Sequence, residues 1–318
     1  MKKILVIAPL GDAHKQVLLA AAGERATLLF REQKTVTDAD VQEADVMLGL
    51  PSAEQVKKAG RLAWLQLFTA GTDPFAAADC LRPQATLTNA ASAHALSVAE
   101  HAAALTFALL RGLKTYAVQQ QARTWAVVDG AVRSVEGARI AVLGLGAAGG
   151  MYAAKMKALG AHVTGVRRRA LEKPAYVDEV LTIEHLDEVL PSADVVTMVL
   201  PGGAATTRLM DERRLRLMKA DACLINVGRG SAIDHAALKR VLADGHLRAV
   251  ALDVTEPEPL PADDALWGIE RVFITPHVAS RFLLPGTMER AVQIAADNLA
   301  RFLAGEALTN VVDRNLGY

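Results

Sequence analysis

Short apolar runs recur along the chain, separated by stretches with helical spacing. Residues 4–8, 26–30, 45–49, 64–68 and 86–89 are rich in β-branched, leucine and aromatic side chains, and each is closed by small or polar residues. Runs of that length and composition read as strands. Helical stretches lie between them, at residues 14–23 and 54–59. Strand and helix in alternation predict βαβ units and a parallel sheet. The sequence Ser97-Val98-Ala99-Glu100 has the form of a capping box, which predicts the start of a long helix running to about Gln121. Residues 124–135 have no period and read as irregular. A second alternating series follows, with strand-like runs at 140–145, 162–166, 194–200, 223–227, 248–254 and 272–274. A last helix is predicted over residues 287–303.

The pattern therefore predicts an α/β fold with two doubly wound parallel-sheet domains. A Rossmann dinucleotide-binding domain, residues 96–284, is inserted in a flavodoxin-like substrate domain made of residues 1–95 and 285–318. A cleft between the two is the expected place for a ligand. There are no internal repeats and no low-complexity segments.

Charge changes the picture only by exclusion. The 318 residues carry 35 Lys and Arg against 35 Asp and Glu, so nothing points to nucleic acid or an anionic membrane. The start, Met1-Lys2-Lys3 followed by an apolar run, reads as a buried first strand and not a leader, because Gly11-Asp12 ends the run and no small-residue cleavage site follows. Residues 95–110 are apolar but contain Glu100 and His101, and are read as too short and too charged to cross a bilayer. Two distant cysteines, Cys80 and Cys223, lack metal-ligand spacing and suit a reduced, cytoplasmic setting.

Candidate chemistry lies at the ends of the second series of strands, where open parallel sheets bind ligands. Gly144-Leu145-Gly146-Ala147-Ala148-Gly149 matches G-x-G-x-x-G between a strand and a helix, the context that gives the pattern meaning. The first Gly permits the tight turn, the second lets a pyrophosphate approach the backbone, and the third lets helix and strand pack closely. Some twenty residues on, where NAD-binding folds usually carry an acid, the strand ends Val166-Arg167-Arg168-Arg169. Such a cluster is either a solvated basic turn or a seat for the 2'-phosphate of NADP; NADP is the preferred cofactor here and NAD a possible one. Arg229 lies between Gly228 and Gly230, Glu256 and Glu258 alternate with prolines, and His277 follows Pro276. Alone, His277 would more readily be a structural histidine. With a fixed cation and a carboxylate it forms a set suited to hydride transfer to a 2-keto acid. Arg would grip the substrate carboxylate, His would supply the proton and Glu would pair with His.

At this point the chain resembles the D-isomer-specific 2-hydroxyacid dehydrogenases, including the glyoxylate/hydroxypyruvate reductases. The resemblance covers nearly the whole length and rests on Val98 to His101, the Gly144 fingerprint, Pro201 with Thr206, Asn226 to Gly230, Asp253-Val254 with Glu258-Pro259, and Thr275-Pro276-His277. It selects Glu258 over Glu256, and it departs from the family pattern at Thr255, where Phe is usual, and at Arg167, where NAD users carry Asp. It implies catalysis by Arg229, Glu258 and His277 without a metal. Cofactor contacts would come from Gly144, Gly146, Ala147, Ala148, Gly149, Arg167, Arg168, Pro201, Thr206, Val227 and Asp253, with Asp253 on the nicotinamide carboxamide. Ala70 and Gly71, within Thr69-Ala70-Gly71-Thr72-Asp73, would hold the substrate carboxylate beside Arg229, and Phe68 and Arg281 are further candidates for substrate contact. It also implies a homodimer built on the helix after Val98, and reduction of a small 2-keto acid to a D-2-hydroxy acid, with glyoxylate or hydroxypyruvate first. The chain ends soon after Leu303 with no regulatory domain, which weighs against a feedback-regulated phosphoglycerate dehydrogenase. A dinucleotide-sensing corepressor on the same fold is the rival from another class, disfavoured by the absence of long charged flanks.

Overall fold

The computed structural model describes residues 1–76, 80–169 and 172–314. The chain divides into two units, one formed by Met1–His94 with Phe282–Tyr318 and the other by Ala95–Arg281.

In the first unit, five strands follow the apolar runs: β1 Lys2–Ile7, β2 Ala26–Arg31, β3 Val46–Gly49, β4 Trp64–Leu67 and β5 Thr86–Thr88. They pair in parallel in the order β2-β1-β3-β4-β5, the flavodoxin-like arrangement. The period of two sorts β1 between two cores. Ile4 and Val6 join Leu18 of the helix Asp12–Ala22 and Ala295 and Leu299 of the helix Thr287–Ala304, while Leu5 and Ile7 join Val41 and Val56 on the other face. The C-terminal helix thus completes the N-terminal sheet. A buried polar chain pins it there: Asn298 Nδ2 and Thr88 Oγ1 both donate to Gln66 Oε1, at 2.9 and 2.8 Å.

The second unit carries β6 Arg139–Leu143, β7 His162–Arg167, β8 Glu179–Thr182, β9 Val195–Met198, β10 Cys223–Asn226, β11 Ala249–Leu252 and β12 Val272–Ile274. All are parallel, in the order β12-β11-β10-β9-β6-β7-β8, the Rossmann order with one strand added at the far edge. Ile140, Val142, Cys223 and Ile225 face the helices Ala91–Leu110 and Ala147–Ala158; Ala141, Leu143, Leu224 and Leu252 face the helix His235–Ala243. Burial pushes the Cys223 thiol up to about 11, as expected of a core residue.

Three sequence expectations are corrected. The long helix starts at Ala91, not at Ser97, because Asn89 Oδ1 accepts from the Ala91 amide at 3.2 Å and supplies the cap earlier. Ser97 lies inside it and donates to Ala279 O at 2.5 Å instead. The helix stops at Leu110, and a separate helix, Leu113–Gln121, begins after Gly112, whose φ of 61° cannot continue a right-handed helix. With 20 residues, Ala91–Leu110 is long and apolar enough to cross a membrane by length and composition, so the argument from shortness fails. What distinguishes it is packing: Ala99, Ala102, Leu105 and Leu109 are buried against the second sheet. Strand β8 was not anticipated. It is a short edge strand, largely half-exposed, and lacks an apolar run.

Candidate active site

The turn after β6 has the geometry that its glycines dictate. Gly144 sits at φ 97°, and a Cβ there would lie 2.5 Å from Val199 O. A Cβ on Gly149 would lie 1.8 Å from Gly144 O, so this glycine is what lets helix Ala147–Ala158 close onto the turn. Gly146 is different. It is the N-cap of that helix, and a Cβ there would meet nothing within 4 Å. The exposed residues Gly146 and Ala147 and the half-exposed Ala148 therefore present open space at a helix N-terminus, where backbone amides lack intrahelical acceptors. That cradle fits a pyrophosphate.

Around it stand the other expected cofactor residues. Arg167 ends β7 half-buried, with Nη2 donating to Glu172 O at 2.9 Å, and Arg168 is exposed beside it. Thr206 Oγ1 donates to Pro201 O at 2.8 Å, which fixes the loop after β9. The Val227 amide donates to Met198 O at 3.1 Å, and Gly228 packs against that loop, since a Cβ on it would lie 2.5 Å from Leu200 O.

Arg229, Glu258 and His277 follow the neighbouring strands β10, β11 and β12. Asn226 shapes the first loop: its Nδ2 donates to Arg229 O at 2.8 Å and its Oδ1 accepts from the Gly228 amide at 3.1 Å. Gly230 touches the next loop, where a Cβ would lie 2.0 Å from Thr255 O. The Arg229 and Glu258 loops are thus packed backbone to backbone. Glu258 Oε1 accepts from the Thr255 amide at 3.0 Å, and Oε2 lies 2.8 Å from His277 Nδ1. Glu258 and not Glu256 meets the histidine. The Glu256 backbone is tied instead to His235, whose Nδ1 lies 3.0 Å from Glu256 O and 3.1 Å from its N.

His277 sits at φ 52°, a left-handed conformation that costs of order 1–3 kcal/mol in a residue with a side chain. Its surroundings impose it. The His277 amide donates to Asp253 O at 2.8 Å, and Arg281 Nε donates to His277 O at 2.8 Å. Asp253 Oδ1 accepts from Thr275 Oγ1 at 2.6 Å and from the Val278 amide at 2.9 Å, and Oδ2 accepts from the Ala279 amide at 3.1 Å. His101 Nε2 lies 3.3 Å from the same Oδ1. Burial works to raise the Asp253 carboxyl, but the bonds from His101, Thr275 and the two amides outweigh it and hold it below the ordinary value.

The Asp253 carboxylate, expected on the nicotinamide carboxamide, has no exposed surface here, and its oxygens serve the His277 turn. Phe68, a candidate for substrate contact, is corrected: it is fully buried in the core of the first unit. In that unit, the loop after β4 has three carbonyls pinned in a row. Ala90 N donates to Thr69 O at 3.0 Å, Asn89 Nδ2 to Ala70 O at 3.1 Å and Thr69 Oγ1 to Gly71 O at 3.0 Å. Sequence reasoning missed Asn89, Asn226, His235, Thr275 and His101 as supports. Their signals are weak, since each partner is remote in sequence or sits on a backbone atom.

Residues 103–279 match the family described as D-isomer specific 2-hydroxyacid dehydrogenase, NAD binding domain. The chain is 30% identical over 297 residues to D-3-phosphoglycerate dehydrogenase of Mycobacterium tuberculosis, covering 93% of this chain and 52% of that protein. It thus spans about half the length of that relative. It is 33% identical over 185 residues to glyoxylate reductase of Korarchaeum cryptofilum, 57% of this chain and 54% of that one. Its fold matches the crystal structure of a D-isomer specific 2-hydroxyacid dehydrogenase from Xanthobacter autotrophicus Py2 in complex with NADPH and MES, with a TM-score of 0.85 and 28% identity over the whole of both chains. Together with the glycine turn and the strand order of the second sheet, the match over residues 103–279 establishes that the chain belongs to the D-isomer specific 2-hydroxyacid dehydrogenase family.

Proposed function

We propose that the protein reduces a small 2-keto acid to the D-2-hydroxy acid with a nicotinamide dinucleotide. The observation that carries this reading is the 2.8 Å contact between His277 Nδ1 and Glu258 Oε2, on strand ends next to that of Arg229. With Nδ1 engaged by the carboxylate, Nε2 is the nitrogen left to exchange a proton. Arg229 pairs with the substrate carboxylate through its planar fork and draws charge toward the keto oxygen. His277 gives its proton to that oxygen as the carbon is reduced, and takes one back in the reverse direction. Glu258 orients the ring and balances its charge. The dinucleotide, when bound, supplies the hydride; Gly144, Gly146, Ala147, Ala148 and Gly149 would hold its pyrophosphate, and Pro201, Thr206 and Val227 would border it.

NADP is the preferred cofactor in this reading, with Arg167 and Arg168 pairing with the 2'-phosphate. The NADPH in the Xanthobacter relative supports it. A charge-assisted contact of about 1.5–3 kcal/mol corresponds to roughly ten- to a hundredfold preference. Glyoxylate or hydroxypyruvate is the leading substrate, supported by the Korarchaeum relative. A second reading, oxidation of 3-phosphoglycerate, is favoured by the identity to the Mycobacterium enzyme. A homodimer is supported by apolar side chains that face outward along and beyond the Leu113–Gln121 helix, among them Leu113, Val118, Val127 and the fully exposed Trp125. A cytoplasmic location is supported by two free, buried cysteines.

Steady-state assays of a 2-keto acid panel and 3-phosphoglycerate, each with both dinucleotides, test the reading. Turnover of glyoxylate or hydroxypyruvate with NADPH is expected, and Arg167→Asp with Arg168→Ala should reverse the cofactor preference. Oxidation of 3-phosphoglycerate alone would favour the second reading. Turnover of nothing in the panel would overturn both.

A further inference from the structure

The catalytic turn is held from a second direction, by a helix that no part of the mechanism uses. His101 lies one turn and a half into the part of helix Ala91–Leu110 that belongs to the second unit, on the half-buried side. Its Nε2 is 3.0 Å from Thr275 Oγ1 and 3.3 Å from Asp253 Oδ1. Thr275 Oγ1 donates its one proton to Asp253 at 2.6 Å, so it must accept from His101. The Nε2–H of His101 therefore heads a directed chain, His101 to Thr275 to Asp253. It ends on the Asp253 carboxylate, whose two oxygens also accept from the amides of Val278 and Ala279, the residues just after His277. Ser97, one turn earlier on the same helix, donates to Ala279 O at 2.5 Å and ties the far end of the turn.

We propose that His101 is a positioning residue, which holds the His277 turn in its left-handed conformation through Thr275 and Asp253. The proposal rests on the reading of His277 as the acid/base. Without the Nε2–H, Thr275 loses its donor and is free to rotate, one acceptor lobe of Asp253 is left without a partner in a buried place, and the clamp on Val278 and Ala279 loosens. The φ of 52° at His277 is then no longer over-determined, and the turn relaxes toward ordinary backbone conformations. The imidazole moves with it. A displacement of about 1 Å at a reacting group costs on the order of a hundredfold in rate. The dinucleotide turn at Gly144–Gly149 lies on other strands and is untouched. The effect should therefore fall on kcat and spare the KM of the cofactor.

Two variants and two measurements test this. His101→Ala removes the donor; His101→Gln keeps an N–H at about the reach of Nε2. Hydrogen exchange of the Val278 and Ala279 amides reads the clamp directly and requires no substrate, so it stands even if the proposed reaction is wrong. In His101→Ala these two amides should exchange about tenfold faster or more, while amides of β9 and β10 keep their protection. With an active substrate, kcat should fall by roughly ten- to a hundredfold at a cofactor KM within about threefold of wild type. His101→Gln should recover most of both. Unchanged exchange at Val278 and Ala279 would overturn the proposal. So would a lowered melting temperature with protection lost evenly across the sheet and kcat kept, which is the signature of a purely structural histidine. The expected acceleration of exchange in His101→Ala, together with a wild type that reduces no 2-keto acid, would instead leave the clamp standing and sink the proposed reaction.

Discussion

Two alanine substitutions, three residues apart in the same turn, should have opposite effects. At Gly149 a Cβ would stand 1.8 Å from the Gly144 carbonyl oxygen, against at least 3.4 Å for ordinary contact, so about 1.6 Å of separation must be found. The neighbour is backbone and cannot rotate away. Overpacking of this kind takes the upper end of the usual range, about 3 kcal/mol, and the gain in helix propensity returns about 1 kcal/mol. The net loss is about 2 kcal/mol, or roughly 4–8 °C in the melting temperature of a unit this size. At Gly146 the added methyl meets nothing within 4 Å, and the φ of −70° suits any residue. The fold should lose only a few tenths of a kcal/mol from the weaker cap. The methyl instead occupies the space where a pyrophosphate must lie, and with the loss of one or two charge-assisted amide contacts the affinity should fall about ten- to a hundredfold. Calorimetric melting and fluorescence titration with NADPH and NADH measure both quantities on both variants. Gly146→Ala that binds the dinucleotides as wild type does would refute the placement of the pyrophosphate. Gly149→Ala that melts with wild type would refute the close approach.

Arg229→Lys keeps the charge and loses the fork, so kcat/KM for the keto acid should drop by about 2–4 kcal/mol in barrier terms with dinucleotide binding kept; near wild-type efficiency would remove Arg229 as the clamp. Glu258→Gln should lower kcat by about a hundredfold, because the carboxylate touches His277, whereas Glu256→Gln should stay within about twofold; equal losses in steady-state assays would contradict the geometry. Asp253 is held below its ordinary value of 3.8, so its contribution to stability is complete above that value and is lost as pH falls through the lower folded-state one. Urea unfolding between about pH 5 and 2 should therefore show a shallower decline for Asp253→Asn than for wild type, starting from a lower plateau; parallel curves would show that this carboxylate does not drive the acid limb.

Much of this architecture was written locally. A β-branched run closed by glycine is a strand signal wherever it occurs, and the alternation of Ile140 and Val142 with Ala141 and Leu143 states which face each side chain covers. The glycine turn was legible because two of its glycines are required locally, Gly144 by its φ and Gly149 by its close approach to the Gly144 carbonyl. The helix start was misread for the opposite cause. Ser97 and Glu100 have capping-box spacing, but their side chains are engaged elsewhere, Ser97 by Ala279 and Glu100 by Lys155 at 3.8 Å. Spacing shows what a side chain can do within its own turn, and cannot show a competing partner brought up by the fold.

The same limit explains why the three candidate residues at the strand ends stood out in the sequence and their supports did not. Arg229, Glu258 and His277 are each announced by glycine or proline neighbours, because loops that bring a charged group to a strand end need unusual backbone. The supports need only a polar atom in the right place. His101 and Thr275 are 174 residues apart and meet because the Ala91–Leu110 helix packs over the sheet near β12. Neither residue has a local pattern that requires the meeting. Asp253 was singled out in sequence for a ligand, and in the structure both its oxygens also meet the neighbouring loop. A carboxylate that ends a buried strand has two possible customers, the ligand in front and the neighbouring loop beside it. Which of them it serves is decided by whether that loop presents unpaired amides. Here the loop after β12 presents two, at Val278 and Ala279, because His277 turns left-handed just before them. The strained histidine and the buried aspartate therefore require each other: the turn exposes the amides that the carboxylate binds, and the carboxylate holds the turn that aims the imidazole.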